Sequence, residues 1–358
     1  MCLNDCNIIV VSNEPWGKVW YSKHHYANQL SKNNQVHFVN PASGLNPFAP
    51  IEITEVKEGL NAVNYKNIIP FSGRLDFLNR YNDRLILRKL LKRLKSKGKQ
   101  NIFWSFDPQR LTCLKLLKSF LKIYHTMDSY RLERERKLVQ ESDLVLVVSA
   151  EFQKDFKPLN SNTHFLPHAV PSSDLNADQL SELDTEKRFL LVGNINYRVD
   201  LQLLVNLAKK YPDYQLDIVG PIHTENFKEE DHIAIGSLKS LNNVNWLGVK
   251  DYHEIVELIK RSKVCLAAYK TDYFYSQYNS LKIMHYLSLG KPVVTSLFHD
   301  YKAHRDLLFM SDDNSDYLDL LEDAVKENAM TKEVVTKRVE YAAAYSLPNA
   351  IKKIEDLI

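Results

Sequence analysis

The feature that most constrains the fold is an alternation of short, β-branched apolar runs with longer segments of helical spacing. The first run, Asn7–Ser12 (NIIVVS), precedes a Pro- and Gly-bearing loop, a helical segment and a second apolar run at Val36–Val39. Short continuous apolar runs are typical of buried parallel strands. A strand, a helix and a strand in about thirty residues form a βαβ unit. The sequence therefore predicts parallel sheets covered by helices.

The alternation continues, is interrupted by a polar, Pro- and Ser-bearing segment near residue 170, and then starts again. Further predicted strands are Asn101–Trp104, Lys122–Tyr124, Leu144–Val148, Thr163–Leu166, Phe189–Val192, Gln215–Val219, Asn245–Gly248, Val264–Ala268 and Pro292–Ser296. We therefore predict two doubly wound α/β domains, residues 1–170 and 171–340. Ligands of such sheets bind at the carboxyl ends of the strands, so we expect a ligand cleft between the domains.

Composition narrows the partners. A chain of 358 residues suits two domains, and a net charge of +3 gives no global preference for nucleic acid. The four cysteines, Cys2, Cys6, Cys113 and Cys265, lack zinc-like spacing, which predicts neither a metal site nor disulfides. The chain starts without a signal-peptide pattern, and it has no apolar run long enough to cross a bilayer. We expect a cytoplasmic protein, or one on the inner face of the cytoplasmic membrane.

These patterns also fit dehydrogenases, kinases and periplasmic binding proteins, so the segment Asn279–Thr295 (NSLKIMHYLSLGKPVVT) carries the most information. It predicts a helix that begins after Ser280 and ends at Gly290, followed by a strand. Exposed amides at such a helix start attract phosphate, and Lys282 adds a positive charge to the first turn. The alternative is an ordinary capped helix between two strands.

This segment resembles the donor-site helix of GT-B-fold glycosyltransferases, N-P-L-K-x-x-E-Y-L-A-x-G-K-P-V-V. The matching residues are Asn279, Leu281, Lys282, Tyr286, Leu287, Gly290, Lys291, Pro292, Val293 and Val294. Ser280 replaces the usual Pro, and His285 replaces a Glu that typically holds the ribose. Gln277 lies where many retaining members have a second Glu. The resemblance implies two Rossmann-like domains facing a cleft, with a final helix, residues 341–358, that returns to the first domain.

The same resemblance implies further donor-binding residues. The segment FLLVGNINYRVD is similar to the family's first donor-domain strand, so Asn194 is expected to bind the donor and Arg198 to reach its pyrophosphate. Arg198 is alternatively a surface residue at a helix start. Val249, in NWLGVKDY, is expected beside the nucleobase. Gly17, in the loop after the first strand, is expected to let the backbone approach the transferred sugar closely.

Acid–base candidates follow the strand in IYHTMD. Asp128 or His125 is expected to remove the proton from the acceptor hydroxyl. Alternatively, Asp128 caps a helix from Tyr130 to Gln140, and the two roles are compatible. His25, on the first helix, is a candidate for acceptor contact, although His24 and His25 also fit buried, hydrogen-bonded histidines.

The segment Arg84–Lys99 (RLILRKLLKRLKSKGK) interleaves basic residues with leucines at helical spacing. Such a helix can lie on an anionic membrane with its leucines inserted, and Arg88 and Lys92 would then contact the lipid headgroups or an acceptor. Alternatively, the leucines face a core and the basic residues face solvent.

The resulting hypothesis is a glycosyltransferase that moves a sugar from a nucleotide-diphosphate sugar to a saccharide or lipid-linked saccharide in polysaccharide or cell-envelope biosynthesis. It needs no cofactor and no active-site metal, because Lys282, Arg198 and helix amides meet the leaving-group charge. Two alternatives stay open. One is a catalytically silent GT-B protein that binds sugar nucleotides or glycans, and the other is a GT-B enzyme such as an epimerase.

Overall fold

The computed structural model describes residues 2–70, 76–128, 130, 133–175, 186–271, 280–326 and 330–358. The chain divides into unit 1, Met1–Pro167 with Ala350–Ile358, and unit 2, His168–Asn349. The segment that joins unit 1 at the end of the chain thus starts at Ala350, whereas the sequence suggested residue 341. The difference arises because residues of helix Lys332–Ala343 pack into the core of unit 2.

Unit 1 is built on an eight-stranded sheet. Its strands are β1 Asn7–Val11, β2 Gln35–Val39, β3 Glu52–Lys57, β4 Leu60–Asn64, β5 Asn101–Ser105, β6 Phe120–Thr126, β7 Leu144–Val147 and β8 Thr163–Phe165. They are arranged in the order β3-β4-β2-β1-β5-β6-β7-β8. Every neighbouring pair is parallel except β3 and β4, which form an antiparallel hairpin.

The helices of unit 1 surround this sheet. They are α1 Ser22–Leu30, α2 Asp76–Leu94, α3 Glu133–Glu141 and α4 Ala150–Phe156. Helix α2 buries Ile86, Leu87, Leu90 and Leu94, so the leucine-rich stripe of the basic segment belongs to the core of unit 1. Among the described residues, no helix has both the length and the apolar character needed to span a bilayer.

Unit 2 contains a six-stranded sheet in which all pairs are parallel. Its strands are β9 Glu186–Val192, β10 Gln215–Val219, β11 Val244–Gly248, β12 Ser262–Ala267, β13 Val293–Thr295 and β14 Phe309–Met310. The sheet order is β11-β10-β9-β12-β13-β14. The helices are α5 Leu201–Lys210, α6 Glu229–Ser240, α7 Tyr252–Arg261, α8 Leu281–Ser288, α9 Tyr317–Val325 and α10 Lys332–Ala343. The last helix, α11 Leu347–Leu357, begins in unit 2 and continues into unit 1.

Both sheets reverse their winding direction once, and these points locate the ligand-binding edges. In unit 1 the reversal lies between β1 and β5, and in unit 2 it lies between β9 and β12. At such a switch point the loops after the two strands diverge and leave a crevice at their carboxyl ends. The prediction of two doubly wound parallel sheets is confirmed. The observed strand orders locate one candidate crevice in each unit.

Candidate functional site

Helix α8, the predicted donor helix, has well-defined ends. The backbone of Ser280 adopts the extended conformation of an N-cap, but its hydroxyl makes no capping hydrogen bond. Gly290 takes the predicted left-handed conformation, with φ of +64°. The amides of Gly290 and Lys291 donate to the carbonyls of Leu287 and Tyr286 at 2.9 and 3.0 Å, which closes the last turn. The first-turn amides, next to Leu281, therefore form the positive end of a short helix.

Lys282, the second residue of α8, points to the switch point of unit 2. Its ammonium lies 4.9 Å from the ring centroid of Tyr269 and donates to the Tyr269 hydroxyl. It also lies directly against Gly193, because a Cβ added at Gly193 would be 2.6 Å from Lys282 Nζ. Gly193 follows β9, and Tyr269 lies just beyond β12. The cation is thus held where the two strands diverge, beside a helix start, and this arrangement suits a phosphate group.

Two glycines let the loops after β9 and β10 approach each other. Gly193 and Gly220 have φ values of +141° and +133°, a region that L side chains rarely adopt. A Cβ at Gly220 would lie 2.0 Å from the carbonyl oxygen of Gly193. Asn194, the next residue, is exposed at this edge. The close backbone approach explains why the predicted Gly-Asn pair ends the strand here.

Arg198 lies in the loop that leads from Asn194 to helix α5. Its guanidinium lies 5.5 Å from the ring centroid of Tyr197, and it is half-buried. The amide of Lys270 donates to the carbonyl of Arg198 at 2.9 Å, so this loop is tied to the segment after β12 that carries Tyr269. Arg198 therefore belongs to the same edge of the sheet as Lys282.

Tyr269 was not singled out from the sequence, although it joins these elements. It contacts Lys282, and its backbone amide donates to the Ser296 hydroxyl oxygen at 2.9 Å. The carbonyl of Tyr269 accepts from the amide group of Asn314 at 2.8 Å. The available signal was its place directly after the apolar run of β12, where strand ends carry ligand contacts.

His285 lies deeper than the resemblance suggests. It is 9% exposed, and its ring lies 5.6 Å from that of Tyr252. Tyr252 in turn donates to the carboxylate of Asp174. Burial lowers the pKa of His285 to about 4, an effect that Asp174 opposes. His285 is therefore neutral near pH 7, and a ribose contact would require an approach to a mostly covered side chain.

Two further residues were predicted to bind the donor, Val249 and Gln277, and the structure describes only Val249. Val249 is 57% exposed and follows Gly248, which has a left-handed φ of +66°. Its neighbour Lys250 pairs with Glu254 at 3.0 Å. Gln277 lies outside the described residues. In the part of the chain that the structure describes, no group of three His, Cys, Asp or Glu side chains is placed to hold a metal ion.

In unit 1, Gly17 lies in the exposed loop after β1. A Cβ at Gly17 would meet no atom closer than the Pro15 carbonyl oxygen at 4.0 Å, so there is open space at this position. Gly17 is not among the residues with a positive φ. The backbone here is accessible, but its conformation does not itself require glycine.

The histidines of unit 1 are structural in position. His25 is 1% exposed and packs 5.4 Å from Trp20, so the expected contact between His25 and an acceptor is not supported. His24 is also buried; its Nε2 lies 3.0 Å from the Pro15 carbonyl oxygen, and its Nδ1 accepts from the Tyr21 amide. The alternative of buried histidines describes both residues better.

His125 does not lie at a site edge. Strand β6 extends to Thr126, two residues beyond the predicted end, so His125 is a strand residue inside the sheet. It is 0% exposed, and its ring lies 5.1 Å from the rings of both Tyr26 and Phe106. The expectation that His125 deprotonates an acceptor is therefore wrong for this arrangement, because an acceptor hydroxyl cannot reach it.

Asp128 remains as an acid–base candidate. It is exposed in the turn after β6, where the Thr126 hydroxyl donates to its backbone carbonyl at 2.5 Å. Helix α3 begins at Glu133, five residues later, so Asp128 does not cap that helix. The predicted helix start at Tyr130 is too early.

A lysine near Asp128 was missed in the sequence. Burial lowers the pKa of Lys23, and the carboxylates of Glu14 and Asp128 oppose this shift. Lys23 donates to the side chain of Asn13, which donates to the hydroxyl of Tyr130 at 3.2 Å. Lys23 is the second residue of α1, as Lys282 is of α8, and this shared position was the available signal.

Arg88 and Lys92 are exposed on α2, on the side opposite its buried leucines. Insertion of those leucines into a membrane, one of the two alternatives, is therefore wrong, because the same side chains fill the core of unit 1. The second alternative, a core-facing helix with a solvated basic face, describes the helix.

Because His24 and His285 are buried, we expect the folded protein to lose stability in acid. The pKa values of His24 and His285 are lowered to about 4 by burial, whereas an unfolded chain binds those protons near pH 6.5. Stability is therefore complete above pH 6.5 and decreases as pH falls toward 4, by up to about 3 kcal/mol for each histidine. Urea unfolding followed by circular dichroism at pH 7.5, 6.0 and 4.5 measures this, and His285→Gln should flatten the profile. An unfolding midpoint independent of pH would contradict the assignment.

Comparison with known proteins supports the resemblance to glycosyltransferases. The family model described as "Glycosyl transferases group 1" matches residues 172–306, which include the Gly193, Tyr269 and Lys282 edge. The chain is 23% identical over 326 residues to the Bacillus subtilis (strain 168) protein named "Putative teichuronic acid biosynthesis glycosyltransferase TuaH", covering 80% of this chain and 79% of that one.

Solved structures share the fold over almost the whole chain. Sucrose-phosphate synthase of Thermosynechococcus elongatus is 14% identical, with a TM-score of 0.70, and the match covers 98% of this chain and 97% of that one. Anabaena HepE, in complex with UDP and glucose, is 13% identical with a TM-score of 0.68, and the match covers 98% of both chains. These structures have the GT-B fold.

Proposed function

We propose that this chain, which is a nucleotide-sugar-dependent glycosyltransferase of the GT-B fold, binds its donor in unit 2 and its acceptor in unit 1. One observation carries the donor assignment. The ammonium of Lys282 lies between the ends of β9 and β12, against Gly193 and beside the start of α8. A fixed cation and a helix start at a switch point bind a pyrophosphate well.

The proposed donor site extends from this cation. Lys282 and the first-turn amides of α8, beside Ser280 and Leu281, hold the pyrophosphate, and the guanidinium of Arg198 adds a second cationic contact. These groups offset the charge that develops on the leaving nucleoside diphosphate, so the proposed reaction uses no metal and no other cofactor. Asn194 and Val249, both exposed at the same edge, are proposed to contact the sugar and the nucleobase.

Similar proteins suggest which substrates to test first. The HepE structure holds UDP and glucose, so we propose a uridine diphosphate sugar as the donor. The Bacillus relative is named for teichuronic acid biosynthesis, which supports a saccharide or lipid-linked saccharide acceptor in polysaccharide or cell-envelope biosynthesis. We place this activity in the cytoplasm.

In unit 1, Asp128 is proposed as the general base. Asp128 is exposed at the carboxyl end of β6. Lys23 lies close to it, because the Asp128 charge opposes the lowering of the Lys23 pKa by burial. A carboxylate at this edge of the sheet can accept the proton of an attacking hydroxyl. The open loop at Gly17 leaves room for a sugar.

Asp128→Asn tests this role. We expect the rate of nucleoside diphosphate release to fall about 100-fold or more, because a general base typically contributes that factor. UDP-glucose, UDP-galactose, UDP-N-acetylglucosamine and GDP-mannose are the donors, with a bacterial membrane-lipid extract as the acceptor source and with EDTA in a parallel set. Asp155→Asn, on the exposed side of α4, is the matched control. An unchanged rate in Asp128→Asn would reject the base assignment, and a rate abolished by EDTA would reject the metal-free step.

The exposed side of α2 supports a different membrane contact, in which aromatic and basic side chains, and not the buried leucines, meet the lipid headgroups. Phe77 and Tyr81 are 62% and 56% exposed, and the exposed Arg84, Arg88 and Lys92 continue the same helical stripe. The exposed ring of Phe48 lies nearby, because Lys89 Nζ donates to the neighbouring Pro47 carbonyl at 2.9 Å. Aromatic rings beside basic side chains suit the headgroup region of an anionic bilayer. We propose that this stripe brings the enzyme to lipid-linked acceptors.

The double variant Arg88→Glu/Lys92→Glu should weaken binding to phosphatidylglycerol vesicles at least about 10-fold, since each basic residue near such a surface contributes about 1 kcal/mol. Vesicle co-sedimentation at low and high salt measures this, with Lys209→Glu/Lys239→Glu in unit 2 as the charge-matched control. Equal loss in both variants, or equal binding to neutral phosphatidylcholine vesicles, would count against the stripe.

A catalytically silent binding protein is the second candidate. His285 is neutral and mostly covered, although the family's typical residue there is a Glu that holds the ribose. Such a protein would bind nucleotide sugars without releasing nucleoside diphosphate. The donor assay separates the two candidates, because binding without turnover for every donor and acceptor supplied favours the silent protein.

A further inference from the structure

A polar cavity lies within unit 1, and its lining includes none of the donor-site or general-base residues assigned above. Its volume is about 450 Å³, and it lies beyond the carboxyl ends of β4 and β5, between the first turns of α2 and α3. The residues that line it and carry the argument are Asn79, Asn82, Asp83, Gln109, Arg110 and Arg134. The parallel strands of a doubly wound sheet present ligand contacts at this edge.

Asp83 is the most unusual residue of this cavity. It is 2% exposed, and the backbone amides of Leu111 and Thr112 donate to its carboxylate. Its Oδ2 atom has no hydrogen-bond partner among the residues that the structure describes. Burial raises the pKa of Asp83 to about 6, so the carboxylate is ionised at neutral pH despite its covered position. A buried acceptor without a donor is costly, and a ligand hydroxyl would remove that cost.

The backbone around Asp83 is held in a strained form. Leu111 has a φ of +55°, which is rare for a branched apolar side chain, and it is fully buried. This conformation helps to direct two successive amides at the Asp83 carboxylate. Strain of this kind is kept where the surrounding structure requires it and is common at binding sites.

Arg110 connects the cavity with the switch point of unit 1. Its guanidinium donates to Asp107 at 2.7 Å, to the Tyr65 hydroxyl at 2.6 Å and to the Ser12 carbonyl at the end of β1. Arg134, on the other side, donates to the Gln109 carbonyl at 3.0 Å. Both guanidiniums are thus fixed in position and present rigid donors.

The charges of the lining select the ligand class. The lining carries one net negative charge, because it has three carboxylates, Asp76, Asp83 and Glu133, and two guanidiniums, Arg110 and Arg134. This balance disfavours a phosphate or a second nucleotide. The Oδ2 acceptor of Asp83, which lines this cavity beside Tyr65, instead suits a hydroxyl donor of an uncharged sugar.

We propose that this cavity is a saccharide subsite in which Asp83 accepts a hydrogen bond from a hydroxyl of an uncharged sugar. The proposal rests on the proposed function, because the sugar is then a part of the acceptor that does not react. In this proposal the cavity recognises the acceptor. Arg110 holds the wall of the cavity in a fixed position relative to the end of β1.

The test uses the full-length protein and the methyl α- and β-glycosides of glucose, galactose, N-acetylglucosamine and N-acetylgalactosamine. Saturation-transfer difference NMR detects binding. At least one glycoside should bind the wild-type protein, and Asp83→Asn should weaken its binding about 10- to 100-fold, as expected for loss of a hydrogen bond to a charged group. Asp155→Asn, on the exposed side of α4, should bind normally.

A stability measurement separates loss of binding from loss of fold. Asn retains an oxygen for the backbone amides of Leu111 and Thr112 and removes a buried charge, so the melting temperature of Asp83→Asn at pH 7.5 should rise. Weaker glycoside binding together with a higher melting temperature supports the subsite. Equal binding by wild type and Asp83→Asn, or no glycoside bound by the wild type, would overturn it.

UDP binding distinguishes this inference from the proposed function. Asp83→Asn should bind UDP as the wild-type protein does, because the donor residues lie in unit 2. If no nucleotide binds while a glycoside binds in an Asp83-dependent way, the proposed function fails and the subsite stands. If UDP binds normally and glycoside binding ignores Asp83, the subsite fails alone.

Discussion

Lys282→Ala should weaken the binding of a nucleoside diphosphate about 10- to 100-fold, because it removes a charge-assisted contact that contributes about 1.5–3 kcal/mol. The rate of transfer should fall further, about 100- to 1000-fold, since the same ammonium is proposed to stabilise the charge of the leaving group. No other lysine is expected to substitute, because Tyr269 and Gly193 hold this ammonium at the switch point.

Two further variants make this prediction specific. Tyr269→Phe keeps the aromatic ring and removes only the hydroxyl that accepts from Lys282, so we expect a smaller loss of affinity. Lys209→Ala removes an exposed lysine from the end of α5 in the same unit and should have no effect. Steady-state kinetics with calorimetric titration measures all three. A comparable loss in Lys209→Ala would show that only net charge matters.

Gly220→Ala should destabilise the protein by about 3 kcal/mol or more. The residue has a φ of +133°, and a Cβ would lie 2.0 Å from the backbone carbonyl oxygen of Gly193. A backbone conformation almost restricted to glycine costs about 1–3 kcal/mol for other residues, and the steric overlap adds to this. Because the atom in the way is backbone, no side-chain rotation relieves the contact.

Gly236→Ala is the matched control with the opposite sign. Gly236 lies inside helix α6, and a Cβ there would meet no atom within 4 Å. Alanine should stabilise the protein by about 0.5–1 kcal/mol, because glycine in a helix has more conformational freedom to lose on folding. Thermal unfolding measures both variants. Equal shifts of the same sign would contradict the close approach of the two loops.

The sequence predicts the sheets well where the strands are continuously apolar. Strand β1 is buried along its whole length, and its pattern identifies it directly. Strand β3 was missed because all six of its side chains are exposed, so EITEVK has no apolar run. Its partner β4 was missed with it, although Gly59, with a φ of +75°, marks the turn of their hairpin.

Site residues were identified from the sequence where a local motif contains them and were missed where their role depends on distant contacts. Lys282 and Gly290 were identified because a local motif contains both the helix start and its end. Arg110 was not, because its role depends on the Ser12 carbonyl, 98 residues earlier in the chain. No local pattern records such a contact. The alternatives for α2 differ only in what covers the leucines, and tertiary packing alone decides between them.

His125 shows the limit of strand boundaries. A strand that ends at Tyr124 leaves the histidine at an exposed edge, whereas a strand that continues to Thr126 directs it into an aromatic cluster. A difference of two residues therefore reverses the interpretation of the side chain. Asp128 retains its candidate role because it lies beyond the strand in either case.

The most direct test of the central claim is calorimetric titration of the full-length protein with UDP, GDP and the common UDP-sugars. We predict micromolar binding of at least one nucleotide, weakened about 10- to 100-fold in Lys282→Ala and retained in Lys209→Ala. Failure of every nucleotide to bind, or binding unchanged in Lys282→Ala, would contradict a donor site at the β9–β12 switch point.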